Sequence, residues 1–445
     1  MEQAREKSPL NPAVVCVLIF LVALIARVLW VASLKGDVYW RDEQEFLEIA
    51  RHLARGEGYI SGSARANPVL PVYLAVILRF FGENLFVVRL GQCVAGALTC
   101  VLVCAIGGRL FDRETGIVSG IILSVYPPLI YLSGVFYAEC LLIFWGAVAA
   151  YLAVRSLQPG ASVGWGLATG AALGLATLTR TTLVVWIPMV CIAWLWKAAS
   201  AWRTCVPLCA ALLVGSAVMI VPWTVRNYFT FHCLVPVNSR FGTVLWQANN
   251  PFSTGLDHSD WDLFPDNKLW NERLARLPAG QRNALEGQYK DVGAEIRALS
   301  ERLHDTSLAS DRVLGPLAIR YIATHPLQTL GRSCRRLRLL FSAFSPTVAT
   351  NEHTVGSYKI VAAFSFYPIL ILAGCGMVLG LRQLRGAALP YLLIASVIAT
   401  TLPLAATQTR YRLPVDPYLA LFASYALTQL WRRFRVNLKT PATPH

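Results

Sequence analysis

Long apolar runs, more than any motif, limit what this chain can fold into. A hydrocarbon core of roughly 30 Å takes about twenty apolar helical residues to cross, and residues 13–34, 85–110 and 205–222 approach or exceed that length with few or no charges. With 55% hydrophobic and 15% charged residues in 445, the chain holds more apolar surface than one soluble core can bury. Backbone groups inside lipid must pair within their own segment, and the runs lack strict alternation, so helices fit and a barrel does not. The spacing predicts an all-α polytopic membrane protein of about ten spans, at 13–34, 85–110, 115–132, 140–157, 163–178, 183–196, 205–222, 358–381, 388–404 and 413–430.

The first run follows Arg5 and Lys7, as a signal peptide would, but it is long, carries Arg27 and lacks a small-residue cleavage site. A retained first span is expected. The net charge of +15 would raise nucleic acid as a partner in a soluble protein. Here the basic loops at Arg109/Arg113, Arg155, Lys197/Arg203 and Arg382/Arg385, with the tail Arg432, Arg433, Arg435 and Lys439, all fall on one side. By the positive-inside bias that side is the cytoplasm, with both termini in it and no call for nucleic acid. Most of the 11 cysteines lie in apolar runs, where they act as small hydrophobes. Cys233 and Cys334 fall in the outer segment and would pair if they met in space.

Three regions follow: a transmembrane module over 1–222, an outer loop region over 223–357, and C-terminal spans with a basic tail over 358–445. Within the first outer loop, 35–83, Phe46, Ile49, Ala50 and Leu53 share one helical face, which predicts a helix lying on the membrane surface. The Pro68 to Gly82 run is short for a crossing and reads as interfacial or re-entrant. The second outer segment carries expected helices at 281–303 and 311–324, then a basic amphipathic stretch over 330–338 that reads as a solvated or headgroup-facing helix.

Chemistry concentrates at the outer ends of the spans. An acidic pair, Asp42 and Glu43, sits beside Tyr39 and Trp40 at the lipid–water boundary, where partial desolvation suits a carboxylate to act as a general base. Asp42 and Glu45 also form a capping-box-like helix start, which explains the aspartate equally well. Glu139 opens the fourth span from the same side, either as a second acid converging with Asp42 or as a first-turn carboxylate favoured by the helix dipole. Arg27, Arg180, Arg226, Arg410 and Arg412 lie near outer helix ends. Guanidinium forks suit the phosphate of an anionic lipid headgroup, whereas any one of them alone is explained by snorkelling. No P-loop, HExxH or GxSxG occurs, so nucleotide hydrolysis, zinc proteolysis and hydrolase chemistry lack their sequence support. No cofactor is called for. Asp42, Glu43 and Glu139 leave room for a divalent metal without establishing one.

Taken in order, Asp42-Glu43, Ile49-Ala50-Arg51 leading to Gly56-Glu57-Gly58-Tyr59, the Pro68/Pro71 segment, Leu178-Thr179-Arg180, Pro222 to Tyr228, Asn249-Asn250-Pro251 and Arg410-Tyr411-Arg412-Leu413-Pro414 resemble the bacterial GT-C glycosyltransferases. The likeness is to the protein-mannosyltransferase-like and aminoarabinose-transferase-like group, and it covers nearly the whole chain. It implies a GT-C bundle with outer-face interfacial helices and a modest outer loop domain. It also implies inverting transfer of a sugar from a polyprenyl-phosphate donor to a glycan, lipid or protein acceptor outside the cytoplasm, as in a bacterial inner membrane. In that family the first outer loop supplies the catalytic acid, here Asp42 with Glu43 adjacent. A second outer acid corresponds to Glu139, and the arginines with Tyr59 and Tyr411 would line the donor site. The rival reading is a flippase or transporter of lipid-linked sugars, which expects polar residues deep in the spans.

Overall fold

The computed structural model describes residues 11–34, 38, 41–60, 64–158, 162–198, 202–254, 263–343, 355–403 and 409–439. Among them there is helix and no strand. The chain runs through α1 (Pro12–Ala32), α2 (Arg41–Ala54), α3 (Val69–Phe81), α4 (Leu85–Leu110), α5 (Arg113–Ser124), α6 (Pro127–Tyr131), α7 (Ala138–Arg155), α8 (Val163–Thr179), α9 (Trp186–Lys197) and α10 (Trp202–Phe231). The outer segment follows as α11 (Phe241–Ala248), α12 (Lys268–Ala275), α13 (Ala279–Tyr289), α14 (Val292–Leu303), α15 (Thr306–Thr324) and α16 (Pro326–Leu340). The chain returns to the bundle in α17 (Val355–Gly380), α18 (Ala388–Thr401) and α19 (Asp416–Lys439).

Five described helices are long and apolar enough to cross a membrane, six if one bent pair counts as a single span. Shorter apolar helices, among them α8 and α18, occupy other expected positions, and α19 takes the last one. The span expected at 115–132 is broken, bending 54° between Ser124 and Pro127. Pro127 and Pro128 bring no backbone N–H, so carbonyls of the preceding turn need other donors. Arg27 supplies them. Its guanidinium donates to Ser124 O at 3.3 Å, Leu123 O at 3.4 Å and Ala23 O at 2.9 Å. Gly96 makes room for it, because a Cβ there would lie 2.6 Å from Arg27 Nε. Arg27 is thus a fully buried brace inside the bundle with its guanidinium taken up by carbonyls, which corrects the expectation that it joins a phosphate site.

Small residues let α8 and α10 approach closely. Gly166, Gly170 and Gly174 repeat every four residues along α8, and a Cβ on Gly170 would sit 2.0 Å from Leu212 O of α10. α10 itself runs on to Phe231 through Pro222, so the expected boundary at 222 falls inside a helix. The hydroxyl of Thr224 secures this extension, donating to Ile220 O at 3.1 Å and Pro236 O at 2.8 Å.

On the outer side α2 packs on α3 through Leu47, Ala50, Leu70 and Leu74, so the face expected to meet the membrane is largely covered by the neighbouring helix. The outer segment has an aromatic core of its own, in which Trp246, Trp270 and Tyr289 meet with centroids 5.4–5.9 Å apart. The helix expected over 281–303 is two, broken after Tyr289, whose ring turns into that core. Cys233 is buried against Val235 and Leu308 while Cys334 is exposed, and both are free thiols, so the condition for pairing is not met.

Candidate active site

Three first-turn or turn positions converge on one recess. Asp42 stands in the first turn of α2 and Glu139 in the first turn of α7. Arg410 and Tyr411 lie in a 3-10 turn before α19. The Arg410 guanidinium lies 3.7 Å from Asp42 Oδ2 and 4.0 Å from Glu139 Oε1. Glu139 is nearly inaccessible and pairs with Arg180, the residue that ends α8. The rings of Tyr137 and Tyr411 lie under the Arg410 guanidinium at 5.2 and 5.6 Å, and Tyr411 also lies 4.5 Å under Arg180. Cation–π contact fixes each fork without consuming all its donors.

Two further arginines border this recess and were missed in the sequence. Backbone and amide bonds stitch three segments together: Ser239 N donates to Ala64 O at 3.0 Å, Asn238 to Asn67 Oδ1 at 3.0 Å, and Asn67 Nδ2 to Thr179 O at 3.1 Å. The residues after these stitches are Arg65, Arg240 and Arg180. Arg240 is accessible yet ringed by protein, as a side chain in an open recess is. That enclosure, then the charge of Arg65, hold its guanidinium below the ordinary arginine value, with Tyr411, Arg180 and Asp42 close enough to act on it. Both arginines lie in irregular, turn-rich stretches, where helical periodicity gives no signal. The turn pair Asn238-Ser239 directly before an arginine is the one local cue.

The remaining expected residues stand elsewhere. Glu43 is fully buried behind the recess, accepting from the Phe136 amide at 2.9 Å. Arg226 donates to Tyr59 O at 2.8 Å inside a ring of Tyr59, Trp223 and Phe231. Tyr59 donates its hydroxyl to Asn67 O at 3.2 Å, so this pair supports the Arg65 loop from behind. Arg412 points inward, bonded to Asp416 at 2.9 Å, to the carbonyls of Leu340 and Ser342 at 3.0 and 2.6 Å, and stacked on Phe366. Tyr39 and Trp40 lie outside the described residues.

The Arg410 guanidinium stands within 4.0 Å of both Asp42 and Glu139, and among the described residues no three His, Cys, Asp or Glu side chains are grouped for a metal. Beside the recess an apolar groove of about 490 Å³ opens between α3, α8 and α10, lined by Pro68, Val72, Leu175, Leu178, Met219 and Trp223. Its Leu178 rim is two residues from Arg180.

The family model described as dolichyl-phosphate-mannose-protein mannosyltransferase matches residues 65–225. The apo oligosaccharyltransferase of Archaeoglobus fulgidus is similar in structure over 100% of this chain and 54% of its own, with 13% identity and a TM-score of 0.56. The same organism's AglB, in complex with an inhibitory peptide and a dolichol-phosphate, is similar over 98% and 52%, with 12% identity and the same TM-score. ArnT from Cupriavidus metallidurans bound to undecaprenyl phosphate covers 96% of this chain and 81% of its own at 16% identity, with a TM-score of 0.42. The chain therefore spans about half the length of the oligosaccharyltransferases it matches. No curated protein sequence matches it.

Proposed function

We propose that this chain, which has the fold of the GT-C membrane glycosyltransferases, transfers a sugar from a polyprenyl-phosphate donor to a hydroxyl-bearing acceptor on the non-cytoplasmic face, with inversion. The observation that carries the reading is the meeting of Asp42 and Glu139 at the Arg410 guanidinium. Asp42 is the accessible carboxylate of the two, so it takes the acceptor proton. The acceptor oxygen then bonds to the anomeric carbon from the face opposite the phosphate, and the carbon–oxygen bond to phosphate breaks. Polyprenyl phosphate leaves with the electron pair.

Charge decides which arginines receive that phosphate. Arg180 and Arg410 are balanced by Glu139 and Asp42, whereas Arg65 and Arg240 have no ion-pair partner among the described residues. Their two positive charges match the leaving dianion, and guanidinium forks suit its oxygens. Glu139 positions Arg180 and Arg410. The isoprenoid chain lies in the apolar groove whose rim adjoins Arg180, and the dolichol-phosphate of the AglB complex belongs to the same carrier class. Residues 1–222 carry the carboxylates, 223–357 bring Arg240, and 358–445 bring Arg410. The basic loops support a recess that faces away from the cytoplasm, as in a bacterial inner membrane.

The test uses the full chain in vesicles with a radiolabelled polyprenyl-phosphate sugar and a mixed glycan, glycolipid and peptide acceptor pool. A new glycosidic product that vanishes in Asp42→Asn is expected. Redistribution of intact donor between leaflets with no such product would overturn the reading in favour of a transporter.

A further inference from the structure

Helix α16 buries cations on one face and exposes leucines on the other, with Arg335 also exposed. Its inner face carries cations: Arg332 donates to Asn250 O at 2.9 Å, and Arg336, fully buried, donates to Leu402 O at 2.9 Å and to Ala248 O. Its outer face carries Leu327, Leu330 and Cys334 at i, i+3, i+7 spacing, with the two leucines 82% and 61% exposed. A helix whose outer face meets water shows the opposite order. One turn beyond Cys334 on that same face lies Arg338, exposed and with no ion-pair partner among the described residues.

Two anchors fix the height of α16 relative to the bundle. Ser333 Oγ and Arg336 both donate to Leu402 O, directly past the end of the apolar helix α18. At its other end the carbonyls of Leu340 and Ser342 are held by Arg412, four residues before α19 begins. Both anchors are ends of bundle helices on the side that holds the recess, so α16 lies at the level where acyl chains give way to headgroups.

We propose that α16 is a membrane-docking helix. Leu327, Leu330 and Cys334 enter the acyl–headgroup boundary of the leaflet bordering the recess, and Arg338 takes a lipid phosphate. An apolar stripe with a flanking cation is the pattern such a surface requires. Arg332 and Arg336 of the basic stretch turn inward, Arg335 and Arg338 stay exposed, and Leu327 and Leu330 make the lipid contact.

The experiment places a nitroxide on Cys334 of the full chain carrying Cys375→Ser, in vesicles of phosphatidylethanolamine and phosphatidylglycerol, with Cys334→Ser/Cys375→Ser as background. Oxygen concentrates in lipid and a nickel chelate stays in water, so their collision rates with the label report depth. Oxygen collisions exceeding nickel collisions at Cys334, and at Leu327→Cys and Leu330→Cys introduced into the background variant, are expected. Gln281→Cys, on an exposed part of α13, should read as water in the same vesicles. Nickel dominance at the α16 positions overturns the proposal, as does poor access for both reagents, which would mean that a second copy or another protein covers the stripe. Neither reading depends on whether the recess transfers sugar.

Discussion

Replacing Asp42 and Glu139 one at a time separates a group that moves a proton from a group that holds the scaffold. Asp42 is 53% exposed in its side chain and lies 3.7 Å from the mostly buried Arg410, a long pair open to solvent on the carboxylate side and close to the exposed kind that contributes about 0.2–1 kcal/mol. Arg410 keeps Glu139 when Asp42 is neutralised, so Asp42→Asn should change stability by less than about 1 kcal/mol. As a general base its loss should lower kcat by ~10²–10⁴-fold, or about 3–5 kcal/mol of barrier. Glu139 is 2% exposed and faces both Arg180 and Arg410. Neutralising it leaves the largely buried Arg180 without its carboxylate while Arg410 keeps Asp42, so Glu139→Gln should cost roughly 3 kcal/mol of stability, the low end for breaking a buried pair. Turnover of the labelled donor and detergent-solubilised thermal unfolding, measured on the same preparations, read both quantities. Wild-type kcat in Asp42→Asn, or unchanged unfolding in Glu139→Gln, would falsify this division of roles.

Four other outcomes follow from the geometry. Arg65→Ala and Arg240→Ala should each raise KM for the donor about 10- to 100-fold, as loss of a charged hydrogen bond does, and titration of initial rates against donor concentration checks it. Asp416→Asn orphans the buried Arg412 and should cost roughly 3–5 kcal/mol, whereas Tyr126→Phe, which removes a 2.9 Å bond to the same carboxylate, should cost about 1 kcal/mol; denaturant unfolding orders them. Gly170→Ala forces a methyl to within 2.0 Å of Leu212 O, so α8 and α10 must part at about 1–3 kcal/mol, and its unfolding midpoint should fall while Gly108→Ala, which meets nothing within 4 Å, should not move. The Glu57 carboxyl is held down to about 2, first by its bond to Arg55 and then by His52. A depressed carboxylate contributes above its ordinary value of 4.5 and loses that contribution as pH falls through about 2; a carboxyl-carbon titration of Glu57 with a midpoint near 4.5 would contradict the cluster.

The membrane character and the all-helical class were legible because apolar length has one physical meaning in a bilayer, and α1, α4 and α7 match their expected spans closely. The break at Ser124 was not legible as a break. Pro127 and Pro128 mark the place, but the donors that make a bend tolerable come from Arg27, nearly a hundred residues earlier. The same non-locality governs the site. Asp42, Glu139, Arg180, Arg410 and Tyr411 were found together because each ends or begins a helix at one level. Arg226 and Arg412 share that level too, and only packing against Tyr59 or Asp416 shows that they are occupied elsewhere. Arg65 and Arg240 were invisible because a backbone bond between Ala64 and Ser239, not periodicity, brings them side by side.

That bond has a temporal corollary. Arg65 emerges early in synthesis and Arg240 some 175 residues later (240 − 65), and the segment bearing Arg240 is also tied to α15, through Thr243 N donating to Asp311 at 2.9 Å. The pair can therefore close only once the outer helices have been made and folded. A nascent chain that ends before Arg240 holds half of the cationic pair, so under the proposed function it could not yet clasp a carrier phosphate.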